Sequence, residues 1–181
     1  MDSVFRLDLE VFRTIHLGWH GPILDPFFWV FSSLGLGYVQ LLLSALVLCF
    51  PRYRRLFWPL VLAIAISGLP LAQVFKQFIY RERPSHLVWA HPQEGFKYDS
   101  FPSGHTSTSF AVAFLLCFLL PRRFAWVKVL ALVLATCVGI SRIYRGVHWP
   151  SDVVAGVFCG LCGAALVRLL VSPINDQELR S

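Results

Sequence analysis

The sequence predicts an all-α membrane protein, a polytopic bundle of about five transmembrane helices with an N-terminal amphipathic helix lying along the interface. Composition is the first reason. Of 181 residues, 56% are hydrophobic and only 14% charged, and mean hydropathy is +0.63, well beyond soluble usage. The apolar runs are the second. Segments at about 27–50, 57–78, 104–120, 124–140 and 150–171 are long enough, or nearly so, to cross the hydrocarbon as helices. The third is the N-terminal stretch 1–20. Arg6, Asp8, Glu10 and Arg13 argue against a span and against a secretory leader. Phe5, Leu9 and Phe12, with Val4, Leu7, Val11 and Ile15, recur there at helical spacing, as an interfacial helix requires.

Orientation follows from the connections. Those at 51–55 and 121–123 are short, basic and free of acids, so the positive-inside rule places both in the cytoplasm. With five spans, the N-terminal helix and the loops 79–103 and 141–149 then lie outside the cell membrane, and a tail at 172–181 lies inside. Trp58 and Trp126 mark the inner boundary; Trp19, Trp89 and Trp149 mark the outer one. The whole chain, 1–181, reads as one integral-membrane domain, with 27–171 forming the bundle. Its net charge of +6 suits anionic headgroups; no basic stripe outside the membrane segments suggests nucleic acid.

Two motifs in the apolar runs have plain readings. Cys159 and Cys162 form a lone C-x-x-C in a Gly/Ala-rich span, where small packing residues are expected, with no disulfide and no zinc. Gly156 and Gly160 form a G-x-x-x-G stripe extended by Gly163. It serves either a homodimer or close packing within one bundle.

Charge is costly inside a bilayer unless it has a task, and the outer ends of the spans collect an unusual set. Lys76 and Arg83 are two helical turns apart, so both face one cleft if the helix continues to Pro84. Ser103, Gly104 and His105 open the third span, whose free N–H groups form an anion site. Ser141 and Arg142 precede His148, and Asp152 follows it four residues on, within reach of the imidazole. Pro150 suits the first turn of the last helix. Singly, each has a duller explanation, such as a snorkelling anchor or a helix cap. Together they fall on one side of the membrane and describe a phosphoryl-transfer site that needs no metal or other cofactor.

The patterns K-x6-R-P, P-S-G-H and S-R-x5-H-x3-D resemble the three motifs of the type 2 phosphatidic acid phosphatase superfamily, which includes glucose-6-phosphatases and vanadium haloperoxidases. The resemblance runs from Lys76 to Asp152 with every motif position present. It implies a lipid phosphatase with His148 as nucleophile, Asp152 as its orienting partner and His105 as general acid. Lys76, Arg83, Ser103, Gly104 and Arg142 would hold the phosphoryl oxygens. Arg81 and Arg145 lie outside the motifs and read as headgroup or second-phosphate contacts, or as surface anchors. Trp89, Phe96 and Tyr98 in the outer loop are either substrate contacts or part of an interfacial cover for the bundle.

Among lipid phosphates, undecaprenyl diphosphate is the first expectation, because size and layout resemble that subset of small bacterial members. Phosphatidylglycerophosphate, phosphatidic acid and lipid A are alternatives. Rival readings are a lipid phosphotransferase, a haloperoxidase, and a lipid-binding or transport protein with a vestigial site.

Overall fold

Helices alone make up the regular structure of the described residues, 2–95 and 99–173, in this computed structural model. Phe96, Tyr98 and the tail beyond residue 173 lie outside the described residues. Helix α1 (Asp2–His16) forms as expected, but its inward stripe mixes polar residues with only part of the apolar set. Asp8, Phe12 and His16, one turn apart, are buried, while Val4, Phe5 and Leu7 are 59%, 54% and 61% exposed. His16 is pinned at both ring nitrogens. Nδ1 donates to the Tyr144 carbonyl at 2.7 Å, and Nε2 accepts the His91 N–H at 3.1 Å.

The first expected span is broken. Helices α2 (Leu24–Leu34) and α3 (Gly37–Ala45), the latter continued by a 3-10 turn at Leu46–Cys49, meet at 69°. Gly35 sits at the corner. A Cβ there would stand 2.7 Å from Val138 and 2.8 Å from His105, so a side chain would force α2 away from both.

The second expected span, 57–78, is a sequence of α4 (Phe57–Ile66), a π turn (Ser67–Leu71) and α5 (Ala72–Phe78). Pro70 has no N–H for an α-helical bond and falls within the wider turn. The helix stops at Phe78, short of Arg83, so the expected continuation to Pro84 fails. Pro84 instead opens a 3-10 turn, Pro84–His86.

The last three helices are α6 (Gly104–Leu119), α7 (Ala125–Tyr144) and α8 (Pro150–Leu170). Helix α7 outruns its expected limit at 140. Ser141 and Arg142 therefore ride on its final turns rather than in a loop. By length and composition Arg122–Tyr144 and Pro150–Leu170 can each cross a membrane, and bent α2–α3 makes a third if taken as one span. Helix α6 is a shorter apolar helix. Wide apolar faces suit lipid: Trp126 and Val129 on α7 are 67% and 60% exposed, and Phe158 on α8 is 62% exposed.

One end of the bundle is apolar, with Leu56, just before α4, and Leu60 of α4 against Leu115 and Leu119 of α6 and Val167 of α8. The glycine stripe of α8 is consumed within the chain. Cβ atoms at Gly156 and Gly160 would meet the carbonyl oxygens of Ser103, just before α6, and of Ser107 on α6 at 2.8 and 2.6 Å. At Gly163 one would meet the Ser67 hydroxyl at 2.1 Å. Of the tryptophans assigned to the interfaces, Trp58 and Trp126 are exposed, but Trp149 is 5% exposed and donates its indole N–H to the Glu82 carbonyl at 2.9 Å. It belongs to the core, not to an outer belt.

Candidate active site

The polar end of the bundle is organised by two helix N-termini, those of α6 and α8. Ser103 precedes α6; its N–H donates to the Asp152 carbonyl at 3.0 Å, which ties the two starts together. Its hydroxyl accepts from Thr106 at 2.9 Å and keeps its own proton to donate. The first-turn N–H groups of α6 have no carbonyls ahead of them within the helix. Gly104 would meet nothing within 4 Å if it carried a Cβ, so open space lies beside this donor-rich turn.

At the start of α8, His148 is 3% exposed. Its Nε2 lies 3.2 Å from Arg83 Nη1. A guanidinium only donates, so Nε2 must carry a lone pair and Nδ1 the proton. That proton faces Asp152, whose Oδ2 is 3.6 Å from Nδ1. This is beyond hydrogen-bond length, so Asp152 acts on the ring as a fixed nearby charge. Burial, reinforced by the charges of Arg83 and Arg142, holds the imidazole down to about 4 against the opposing pull of Asp152. His148 is therefore neutral at pH 7.

The expected cations converge, but not all along the expected path. With α5 ended at Phe78, Lys76 and Arg83 do not share a helix face. They meet instead on one acceptor: Lys76 Nζ and Arg83 Nη2 donate to the Asp99 carbonyl at 2.9 and 3.2 Å. Asp99 adopts a positive φ of 57°, a region that aspartate tolerates better than most side chains. Arg83 also donates to the Val147 carbonyl at 2.9 Å. Arg142 is 1% exposed, and its Nε is buried without a hydrogen-bond partner among the described residues. His105, in the first turn of α6, is within electrostatic range of Arg142, His148, Glu94 and Arg83.

Set beside known proteins, residues 56–176 match the model of the PAP2 superfamily. The chain belongs to this superfamily. It is 34% identical over 135 residues to an undecaprenyl-diphosphatase of Sulfolobus acidocaldarius, covering 71% of this chain and 62% of that one. The crystal structure of Aquifex aeolicus LpxE superposes with a TM-score of 0.78 at 33% identity, covering 89% of this chain and 94% of the other. A transmembrane PAP2-type phosphatidylglycerolphosphate phosphatase from Bacillus subtilis also gives 0.78, at 28% identity, with 94% and 87% covered.

Around this PAP2 site the structure assigns partners that the motifs do not contain. Glu94 grips Arg142 with both oxygens, at 2.8 and 2.7 Å, and accepts from Arg145 Nε at 2.6 Å and from the Ser32 hydroxyl at 3.1 Å. Burial opposes ionisation of Glu94, but the two arginines outweigh it and pull its carboxyl down to about 2. Arg145 is thus an ion-pair partner, further held by Gln93, and not a free headgroup contact. Arg81 likewise bonds Asp8, Ser151 and Asp152. Charge counting was the available signal. Buried arginines require counter-charges, and the motifs supply only Asp152.

Proposed function

We propose that this chain is a metal-independent lipid phosphate phosphatase acting through a phosphohistidine at His148. The observation that carries the reading is the unprotonated Nε2 of His148, which accepts from Arg83 Nη1 in the unliganded site, with Asp152 behind the protonated Nδ1. Arg83, Arg142 and Lys76 supply the positive charge that a metal would otherwise bring to the equatorial phosphoryl oxygens, with the Ser103 hydroxyl and the α6 amides as further donors. Neutral His148 attacks phosphorus in line, and the bond to the leaving oxygen breaks as His105 protonates it. His105 then takes a proton from water, which attacks phosphorus, cleaves the P–N bond and releases phosphate.

The wide apolar faces and the superfamily setting support a lipid substrate whose chains stay in the bilayer. Undecaprenyl diphosphate is the favoured one, on the likeness to the Sulfolobus acidocaldarius protein. The Bacillus subtilis neighbour supports the same chemistry on phosphatidylglycerolphosphate as a second reading. Phosphate release from a panel of purified lipids in detergent should persist in EDTA and fall with vanadate, which imitates five-coordinate phosphorus. A strict Mg2+ requirement would replace this mechanism with a two-metal one.

The chain makes five crossings if α2–α3 and α4–α5 each count as one and α6 as a short one, in the cell (inner or plasma) membrane. The basic turns at Arg54 and Arg123 then lie in the cytoplasm and the site faces outward. A cysteine replacing Arg54 or Arg123 should resist an impermeant thiol reagent in intact cells, whereas one replacing Gln93 should react. The reverse pattern would invert the topology.

A further inference from the structure

Helix α1 lies far from the three motifs in sequence, yet its buried acid is joined to them. Asp8 is 3% exposed. Its Oδ1 accepts the Ser151 N–H at 2.8 Å and its Oδ2 accepts the Ser151 hydroxyl at 2.6 Å, so a residue of α1 caps α8. Arg81 closes the circuit. Its Nη2 donates to Asp8 Oδ2 at 2.5 Å, and its Nη1 donates to the Ser151 hydroxyl and to Asp152 Oδ1, each at 2.6 Å. The guanidinium also lies over the Trp149 ring, 5.5 Å from its centroid. Phe5 and Phe12 of α1 pack against that same ring at 5.9 and 5.4 Å.

Asp152 is consequently held from both sides. Oδ1 is taken by Arg81, while Oδ2 accepts from the Ser100 hydroxyl and from the Trp149 N–H at 2.9 Å. Since Asp152 is fully buried and stands off His148 Nδ1, the ring does not hold the carboxylate in place; these other donors do. A buried carboxylate without its cation would also be costly. Asp8 in turn offsets the second charge contact of Arg81 and fixes its planar fork.

We propose that Arg81 and Asp8 are positioning residues for the His148–Asp152 pair, so that the interfacial helix is part of the catalytic scaffold. The catalytic side of this rests on the phosphohistidine reading above. Neither residue touches substrate. Displacing a reacting group by about 1 Å can cost about 100-fold in rate, and the losses should therefore appear in kcat.

The test combines steady-state kinetics on lipid phosphate in detergent with 15N-histidine spectra of the unliganded protein, in which His148 is identified by its absence from H148A. Arg81→Gln should lower kcat about 10- to 100-fold while KM and the vanadate inhibition constant stay within about threefold. Arg81→Lys should recover part of the loss, because it keeps the charge but not the fork. Asp8→Asn should cost less, and the double variant R81Q/D8N no more than R81Q, as expected for one connected circuit. The His148 signals should shift in R81Q and D8N alike. If D8N does not fold, the contrast between R81Q and R81K decides. A raised KM or vanadate constant with unchanged kcat would make Arg81 a substrate contact and overturn the proposal. So would losses that multiply in the double variant while the His148 spectrum stays fixed. If the wild-type protein releases phosphate from no lipid, the phosphatase reading falls, whereas the His148 spectra still decide whether α1 positions the pair.

Discussion

His148→Ala abolishes both turnover and the acid-labile phosphoenzyme, with a loss on the order of 1,000-fold or more. The expectation follows from the atoms. Nε2 carries the lone pair beside Arg83, and no other nitrogen of this ring is free to attack. Because His148 is nearly fully buried, the alanine variant leaves a small cavity but an otherwise supported site, and folding can be checked by thermal melting. The companion variants separate the roles. His105→Ala should hurt most with a phosphate monoester lipid, whose alkoxide needs protonation, and less with a diphosphate lipid, whose leaving phosphate needs little. Asp152→Asn should leave substrate binding largely intact and slow the attack, through a misoriented ring. Single-turnover kinetics with radiolabelled lipid and acid-quench trapping read all three. Label trapped on His105, or a phosphoenzyme surviving in His148→Ala, would reverse the assignment.

Gly160→Val removes the folded protein altogether. The α6–α8 contact is set by backbone approaching backbone. At Gly160 the first carbon of any side chain would stand 2.6 Å from the Ser107 carbonyl oxygen, 2.8 Å from the Ala111 nitrogen and 2.8 Å from Phe110 Cβ. Neither backbone atom can move without shifting α6, which begins at Gly104 and His105 just after Ser103. Overpacking typically costs about 1–3 kcal/mol; a β-branched residue against main chain lies at or above the top of that range. Gly160→Ala should already lower the melting temperature in detergent and reduce activity, since α6 carries His105 and α8 carries Asp152. Gly37→Ala is the control, for nothing lies within 4 Å of a Cβ there. A Gly160→Val protein that melts and elutes like wild type would show that the two helices do not pack this closely.

The glycine stripe also shows what was legible beforehand. Its small residues demanded a close helix contact, but the sequence left open whether the partner was a second copy or the same chain. Ser103, Ser107 and Ser67 occupy it here. The helix starts at Gly104 and Pro150 were readable because a cap, a proline and the onset of apolarity are all local. The end of α5 was not. The Lys76–Arg83 spacing fits two helical turns equally well as an extended segment that returns both cations to the Asp99 carbonyl.

By itself the sequence determined the helical class, the apolar segments and the three motifs, because hydropathy, helical period and residue spacing are properties of neighbouring residues. Tertiary structure alone decided the 69° corner at Gly35, where His105 and Val138, from elsewhere in the chain, lie so close that a side chain would not fit. It also decided the counter-charges. Glu94 reaches Arg142 across 48 residues, Asp8 reaches Arg81 across 73, and Asp8 reaches Ser151 across 143. A buried cation demands an anion but not one at any particular distance along the chain, so only the packing of the helices selects which carboxylate answers it.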